Sequence, residues 1–336
     1  MDTGTTVVLA VVVLGLIFEF VNGFHDAANA IATVVATRVL TPLQALLMAG
    51  SLNLAGALAG TAVAATVAKG IVDSTKVTQD LVLAALVAAI SWDLITFYAA
   101  LPTSSSHALI FGMIGAAVSV HGWDVIIVPG VQKTSAAIVV SPTTALIVAY
   151  LLMLGLYWLL RNASASSVNR FFGKAQILSS AWMAFTHGGN DGQKTMGVIS
   201  LALFAGGMLG GQPAGFVPNW VKFACAIAIA LGTATGGYRI IKTMGMRITL
   251  LKPVNGFVAE TTAGAVIEIA TRLGIPISTT HAISGAILGV GATRRLSAVR
   301  WGIAGRIVSA WVLTIPGCFI MGWLAATLMR AAGLHV

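Results

Sequence analysis

The stretch Phe185-Thr-His-Gly-Gly-Asn-Asp-Gly-Gln-Lys-Thr-Met-Gly197 sets an aspartate and a lysine inside a run otherwise apolar enough to lie in lipid. Each such charge costs about 2.5–3.5 kcal/mol at the centre of a membrane helix, so a chain that keeps both has to enclose them and use them. A weaker copy, Gly23-Phe-His-Asp-Ala-Ala-Asn-Ala30, lies 165 residues earlier: Gly188 falls on Gly23, Asp191 on Asp26 and Lys194 on Asn29. A second pair repeats at a distance of 174 residues: Pro102-Thr-Ser-Ser-Ser-His-Ala108 and Pro276-Ile-Ser-Thr-Thr-His-Ala282, with Gly115 on Gly289 further along. Motifs recurring in one order at nearly one spacing make the chain an internal duplication.

Composition settles the class. The mean hydropathy is +0.93, and 9% of residues are charged, against roughly 25% in soluble proteins. The chain reads as an all-α polytopic membrane protein. Its net charge of +9 does not point to nucleic acid, because the basic residues fall in short loops without interleaved aromatics. Cys225 and Cys318 are isolated in apolar runs and read as small buried hydrophobes. Met1-Asp-Thr-Gly-Thr-Thr carries no basic region, so the first apolar run reads as retained rather than as a cleaved signal.

About 20 apolar residues span the hydrocarbon core. Ten elements follow. The first runs from Thr5 to Arg38 and is expected to break at Asn22–Asp26; then come 43–68, 81–100, 104–120 and 138–160. After a polar linker, 161–174, the second half opens with 175–206, expected to break at Gly188–Asp191, and continues with 217–238, 253–272, 277–293 and 303–329. The short segments after Pro102 and Pro276 read as arms of re-entrant helical hairpins. With the linker cytoplasmic, twelve Lys/Arg lie on the inside against six outside, which places both termini outside. Five elements per half is an odd number, so residues 1–160 and 175–336 are two inverted-topology repeats, the build of many secondary transporters.

The motifs suggest a small oxyanion held between two half-sites. Helix N-termini present free N–H groups and a positive dipole end, and Ser104-Ser-Ser106 and Ser278-Thr-Thr280 stand where hydroxyls cap a helix or donate to a ligand. Asp26 and Asp191 beside an anion must bind a cation or accept a proton. Phosphate near neutral pH carries P–OH donors and sulfate carries none, so the aspartates favour phosphate.

The paired motifs resemble those of the inorganic phosphate transporter (PiT) family, most of all the bacterial low-affinity permeases, across essentially the whole chain. That resemblance implies an inverted-repeat core, cation-coupled phosphate uptake, a bacterial cytoplasmic membrane and a homodimer. By motif match it implies phosphate contacts from Asp26, Asn29, Ser104, Ser105, Ser106, Asp191, Ser278, Thr279 and Thr280. The chain departs from the sodium-coupled pattern at Lys194, where Asn is typical. A fixed ammonium there takes the electrostatic place of sodium, which points to proton coupling or to carriage of a neutral metal–phosphate complex.

Coupling candidates are His107, His281, Glu260 and Glu19, each of which has a plain structural reading too: hydrogen bonding within the hairpins for the histidines, helix packing for the carboxylates. Asp93 and Glu268 read the same way. Asp191 and Lys194, three apart, form at the least a neutralising pair. His25 and His187 are a weak metal pair, and no resident metal or cofactor is expected. Without a Walker A motif the chain itself uses no ATP. A sodium-coupled phosphate or sulfate permease, a channel, and an intramembrane phosphatase with Ser106–His107 or Thr280–His281 at its centre remain as alternatives.

Overall fold

In lipid every backbone N–H and C=O has to be paired within the segment, so apolar runs of this length become helices. The computed structural model describes residues 3–333. Among them are twelve α-helices: α1 (Thr3–Ala36), α2 (Pro42–Leu58), α3 (Ala62–Lys69), α4 (Gln79–Tyr98), α5 (Ser105–His121), α6 (Val128–Leu159), α7 (Ala165–Ala205), α8 (Asn219–Thr235), α9 (Tyr238–Lys242), α10 (Pro253–Arg272), α11 (Thr279–Ala292) and α12 (Trp301–Ala331). Four are long and apolar enough to cross a membrane, or six if each of two bent pairs counts as one span. The protein is an integral membrane protein. The two chain ends, expected outside, lie beyond the described residues. The polar stretch 161–174 is helical for most of its length, since Ser164 caps the start of α7.

The expected breaks at Asn22–Asp26 and Gly188–Asp191 are not there: α1 and α7 run through both as continuous helix. Their glycines serve close approach instead. A methyl group on Gly23 would lie 2.5 Å from the Ile229 carbonyl oxygen, and one on Gly188 would lie 2.2 Å from that of Asn53. Helix backbones packed this closely tolerate no side chain at the contact. The chain breaks one element later in each half. α2 and α3 meet at 68° across Ala59-Gly-Thr61, and α8 meets α9 and the π-helical turn Thr243–Arg247 at 60° across Gly236-Gly237. Gly236 takes φ +75°, a backbone angle that favours glycine.

The two halves interlock with matching partners. α5 packs on α12 and α11 on α6; α2 packs on α7 and α8 on α1. The sequence-matched Gly115 and Gly289 mark the first pair of seams, where an added methyl would stand 2.0 Å from the Phe319 oxygen and 2.3 Å from the Leu146 oxygen. Gly56 against Phe185 and Gly232 against Phe20 mark the second, at 1.9 and 2.1 Å. α5 and α11 follow extended segments that begin at Pro102 and Pro276, and with 17 and 14 residues they are too short to span. At about 1.5 Å per residue they fall short of the about 30 Å hydrocarbon core.

Candidate functional site

The starts of α5 and α11 meet the polar middles of α1 and α7. Ser104 and Ser278 are the N-caps, each accepting from the backbone N–H three residues on, His107 and His281, at 3.2 Å. These two predicted contacts therefore shape the hairpin tips, which frees the next residues to face the centre.

There the two half-sites join. Asn29 donates to Thr279 Oγ1 at 3.1 Å and to Thr280 Oγ1 at 2.9 Å. Thr279 in turn donates to Asp191 Oδ2 at 2.9 Å, and Thr280 donates to Asp26 Oδ2 at 3.3 Å. One amide thus links both aspartates through two hydroxyls. Lys194 plays the matching part from the second half: its ammonium donates to Ser106 Oγ, to Asp191 Oδ1 and, at 2.7 Å, to the Ile277 carbonyl oxygen. Ser106 corresponds to Thr280 and Lys194 to Asn29, so the duplication is visible in the contacts themselves. Asp191 and Lys194 do pair, yet the pair also holds both hairpins. Asp26, Asn29, Ser106, Asp191, Lys194, Thr279 and Thr280 are all 5% exposed or less, so the site is closed to solvent.

The donor set suits a tetrahedral oxyanion: one ammonium, one carboxamide and three hydroxyls. The carboxylates suit its protonated oxygens. For such an ion to enter, Thr279 and Thr280 exchange their carboxylate partners for ligand oxygens while the aspartates take up ligand O–H groups, so the count of satisfied groups is kept.

The histidines beside the motifs take separate roles. His25 Nδ1 lies 2.8 Å from Asp26 Oδ1 and its Nε2 is 3.1 Å from Thr96 Oγ1, which Thr103 also reaches at 2.8 Å. His187 Nε2 lies 3.1 Å from Asp191 Oδ2, and its Nδ1 is 3.0 Å from Asn53 Oδ1. His25 is engaged by Asp26 and Thr96, and the group of possible metal ligands among the described residues includes His187 but not His25. In that group the ligand atoms of Asp26, His187 and Asp191 fall within 4.8 Å of one another. Because Asn53 gives its amide protons to Thr233 at 2.7 Å, its oxygen accepts from His187 Nδ1–H. The other ring nitrogen then faces the Asp191 carboxylate.

The coupling candidates fall in three places. His107 and His281 stack edge to face at 4.8 Å, with His281 lying on Trp311 at 3.8 Å, and among the described residues neither makes a hydrogen bond to Asp26 or Asp191. Glu19 accepts from Thr195, the residue after Lys194, and lies next to Gly192. Glu260 sits in a cluster of its own, accepting from Thr33, Ser179 and, at 3.1 Å, Gln176. Ser105 is buried next to Asp93, a carboxylate that packs beside His25 and Asp26. Sequence reasoning weighed Asp93 only as one acid among several in apolar spans, a proton carrier or a packing group, with nothing to tie it to the motifs. Asn53 and Thr96 carried no signal at all.

Comparison with known proteins gives the family. A model of the Phosphate transporter family (PHO4) matches residues 22–322. A protein of Rhizobium meliloti (strain 1021) named "Probable low-affinity inorganic phosphate transporter" is 47% identical over 317 residues, 94% of each chain. One of the same name from Bacillus subtilis (strain 168) is 42% identical over 327 residues, 97% of this chain and 98% of its own. Among solved structures, "The sodium-dependent phosphate transporter" superposes with a TM-score of 0.89 at 26% identity, covering 97% of this chain and 99% of that one.

Proposed function

We propose that this chain, which belongs to the phosphate transporter family, carries inorganic phosphate into the cell across the bacterial cytoplasmic membrane as a secondary transporter driven by protons rather than sodium. The observation that carries the choice of ion is the seat of Lys194. Its ammonium lies among a carboxylate, a hydroxyl and a backbone carbonyl oxygen, the oxygen ligands that a hard metal cation takes. A charge that is covalently fixed there leaves no room for a dissociable sodium ion. The structural neighbour is named for sodium dependence, so the reading assigns a change of driving ion within a shared fold.

Phosphate is bound between the two hairpin tips by Asn29, Ser106, Lys194, Thr279 and Thr280, with its P–OH groups on Asp26 and Asp191. Glu19 is the best placed of the proton carriers, one oxygen on Thr195 and the other without a partner, next to the Asp191–Lys194 turn. A phosphatase is less well supported: Ser106 and Thr280 turn to Lys194 and Asp26, not to the histidines that follow them.

The test is uptake of labelled phosphate into proteoliposomes under an imposed pH gradient, with sodium or choline as the salt. Uptake driven by the pH gradient in choline supports the reading. Uptake only with sodium removes proton coupling and keeps the transporter, and sulfate uptake in place of phosphate overturns the role of the aspartates. A second reading, carriage of phosphate as a complex with a divalent metal, is favoured by the juxtaposition of Asp26, His187 and Asp191. It requires labelled metal and phosphate to enter together in the same vesicles.

A further inference from the structure

Away from the site, the end of α6 and the starts of α7 and α10 enclose a groove of about 340 Å³. Its mouth carries Arg161, Lys252 and Arg294, and no acidic residue lines it. A neighbouring cavity of about 450 Å³ shares Arg294 and adds Arg295 and Arg300, again with no acid. The positive ends of two helices, at Ala165 and Pro253, add to the same field. The inner wall is apolar, built by Leu156, Leu160, Val168 and Val254. Outside it, Trp158, Leu159 and Phe171 are exposed, so the apolar wall opens onto the surface that faces lipid. Arg161 lies over the Trp158 ring at 5.4 Å, which sets an aromatic and a cation together as interfacial anchors are.

We propose that this groove is a binding seat for one anionic phospholipid, its phosphate on Arg161, Lys252 and Arg294 and an acyl chain along the apolar wall. The shared chemistry is a phosphate anion, and the wall decides the source. A free phosphate would use the cations and leave the apolar side uncovered, whereas a phospholipid uses both. A second copy of the chain is a poor occupant. Two copies in one bilayer share their orientation and would oppose cation to cation. Glu268, one of the few acids near the surface, lies in the last turns of α10, at the other end of that helix from Lys252.

The test is native mass spectrometry of the full chain in detergent, titrated with phosphatidylglycerol, phosphatidylcholine or inorganic phosphate. Four proteins are compared: wild type; Arg161→Gln/Lys252→Gln/Arg294→Gln; Arg38→Gln/Lys174→Gln/Arg306→Gln, which loses the same charge outside the groove; and Arg161→Lys/Arg294→Lys. Wild type and the second triple hold one phosphatidylglycerol in preference to phosphatidylcholine. The groove triple binds it on the order of a hundredfold more weakly, from about fivefold for each basic residue at an anionic surface. Arg161→Lys/Arg294→Lys, which keeps the charge, retains the lipid. Equal loss in both triples would reduce the effect to general surface charge and overturn the seat. Displacement of the lipid by inorganic phosphate would make the groove a free-anion site. A groove triple that turns dimer into monomer with unchanged lipid binding would assign the face to a second copy.

Discussion

Replacing Lys194 by Asn restores in the second half the residue that the first half carries at Asn29, and it tests the ammonium directly. The substitution removes the donor that serves Asp191, Ser106 and the Ile277 carbonyl oxygen. Taking one partner from a buried ion pair costs about 3–5 kcal/mol, because the remaining charge is left uncompensated. At about 1.4 kcal/mol per tenfold, a loss felt in the phosphate-bound form weakens binding by roughly two to four orders of magnitude. Sodium can recover much of this, since the three oxygens are left arranged for a small cation. Phosphate uptake by Lys194→Asn in proteoliposomes is therefore very slow in choline and rises steeply with sodium, while wild type responds little. Thermal melting of the purified variant with increasing sodium reports the same ion without transport. A monodisperse Lys194→Asn protein with wild-type kinetics in choline, or one that stays inactive at any sodium concentration, refutes the ammonium as the surrogate.

Three other substitutions separate site from scaffold. Asp26→Asn puts an N–H donor where a P–OH is accepted, so discrimination against sulfate falls by about tenfold or more in a competition assay. Glu260→Gln places an amide donor against the hydroxyl of either Thr33 or Ser179, which bond to different carboxylate oxygens, and lowers the melting temperature through a loss of about 1–3 kcal/mol. Equilibrium phosphate binding, read by calorimetry, is unchanged, since Glu260 bonds to none of the residues around the anion. Gly115→Ala sets a methyl 2.0 Å from the Phe319 oxygen, so α5 and α12 part by roughly 1 to 1.5 Å to reach an ordinary contact of about 3.5 Å. That overpacking costs about 1–3 kcal/mol and shows as a lower melting temperature, whereas Gly155→Ala, which lies inside α6 and meets nothing within 4 Å, does not lower it.

Much of this was legible because the chain states its site twice. The repeated Pro–Ser/Thr–His segments placed two helix starts, and the caps at Ser104 and Ser278 follow from hydroxyls just after a proline. Had the two spacings been combined, they would also have predicted one contact from the other: Asn29 meets Thr280, so Lys194 meets Ser106. The glycines were misread for a physical reason. In lipid a glycine either loosens a helix or lets another backbone come close, and the choice rests on the neighbour. Gly23 and Gly188 are decided by Ile229 and Asn53, residues with no pattern linking them to the motifs. His187 was likewise opaque, since its orientation is fixed by Asn53, which Thr233 fixes in turn.

The seam between α5 and α12 also bears on how the protein is made. Gly115 leaves the ribosome 204 residues before Phe319, the residue whose carbonyl it packs against. At about 5–20 residues per second, that is a wait on the order of 10–40 s. Throughout that interval the first hairpin, too short to span, has a glycine face with nothing on it. α12 is thus the latch of this seam, and each earlier stage of synthesis leaves an open groove for the insertion machinery to guard.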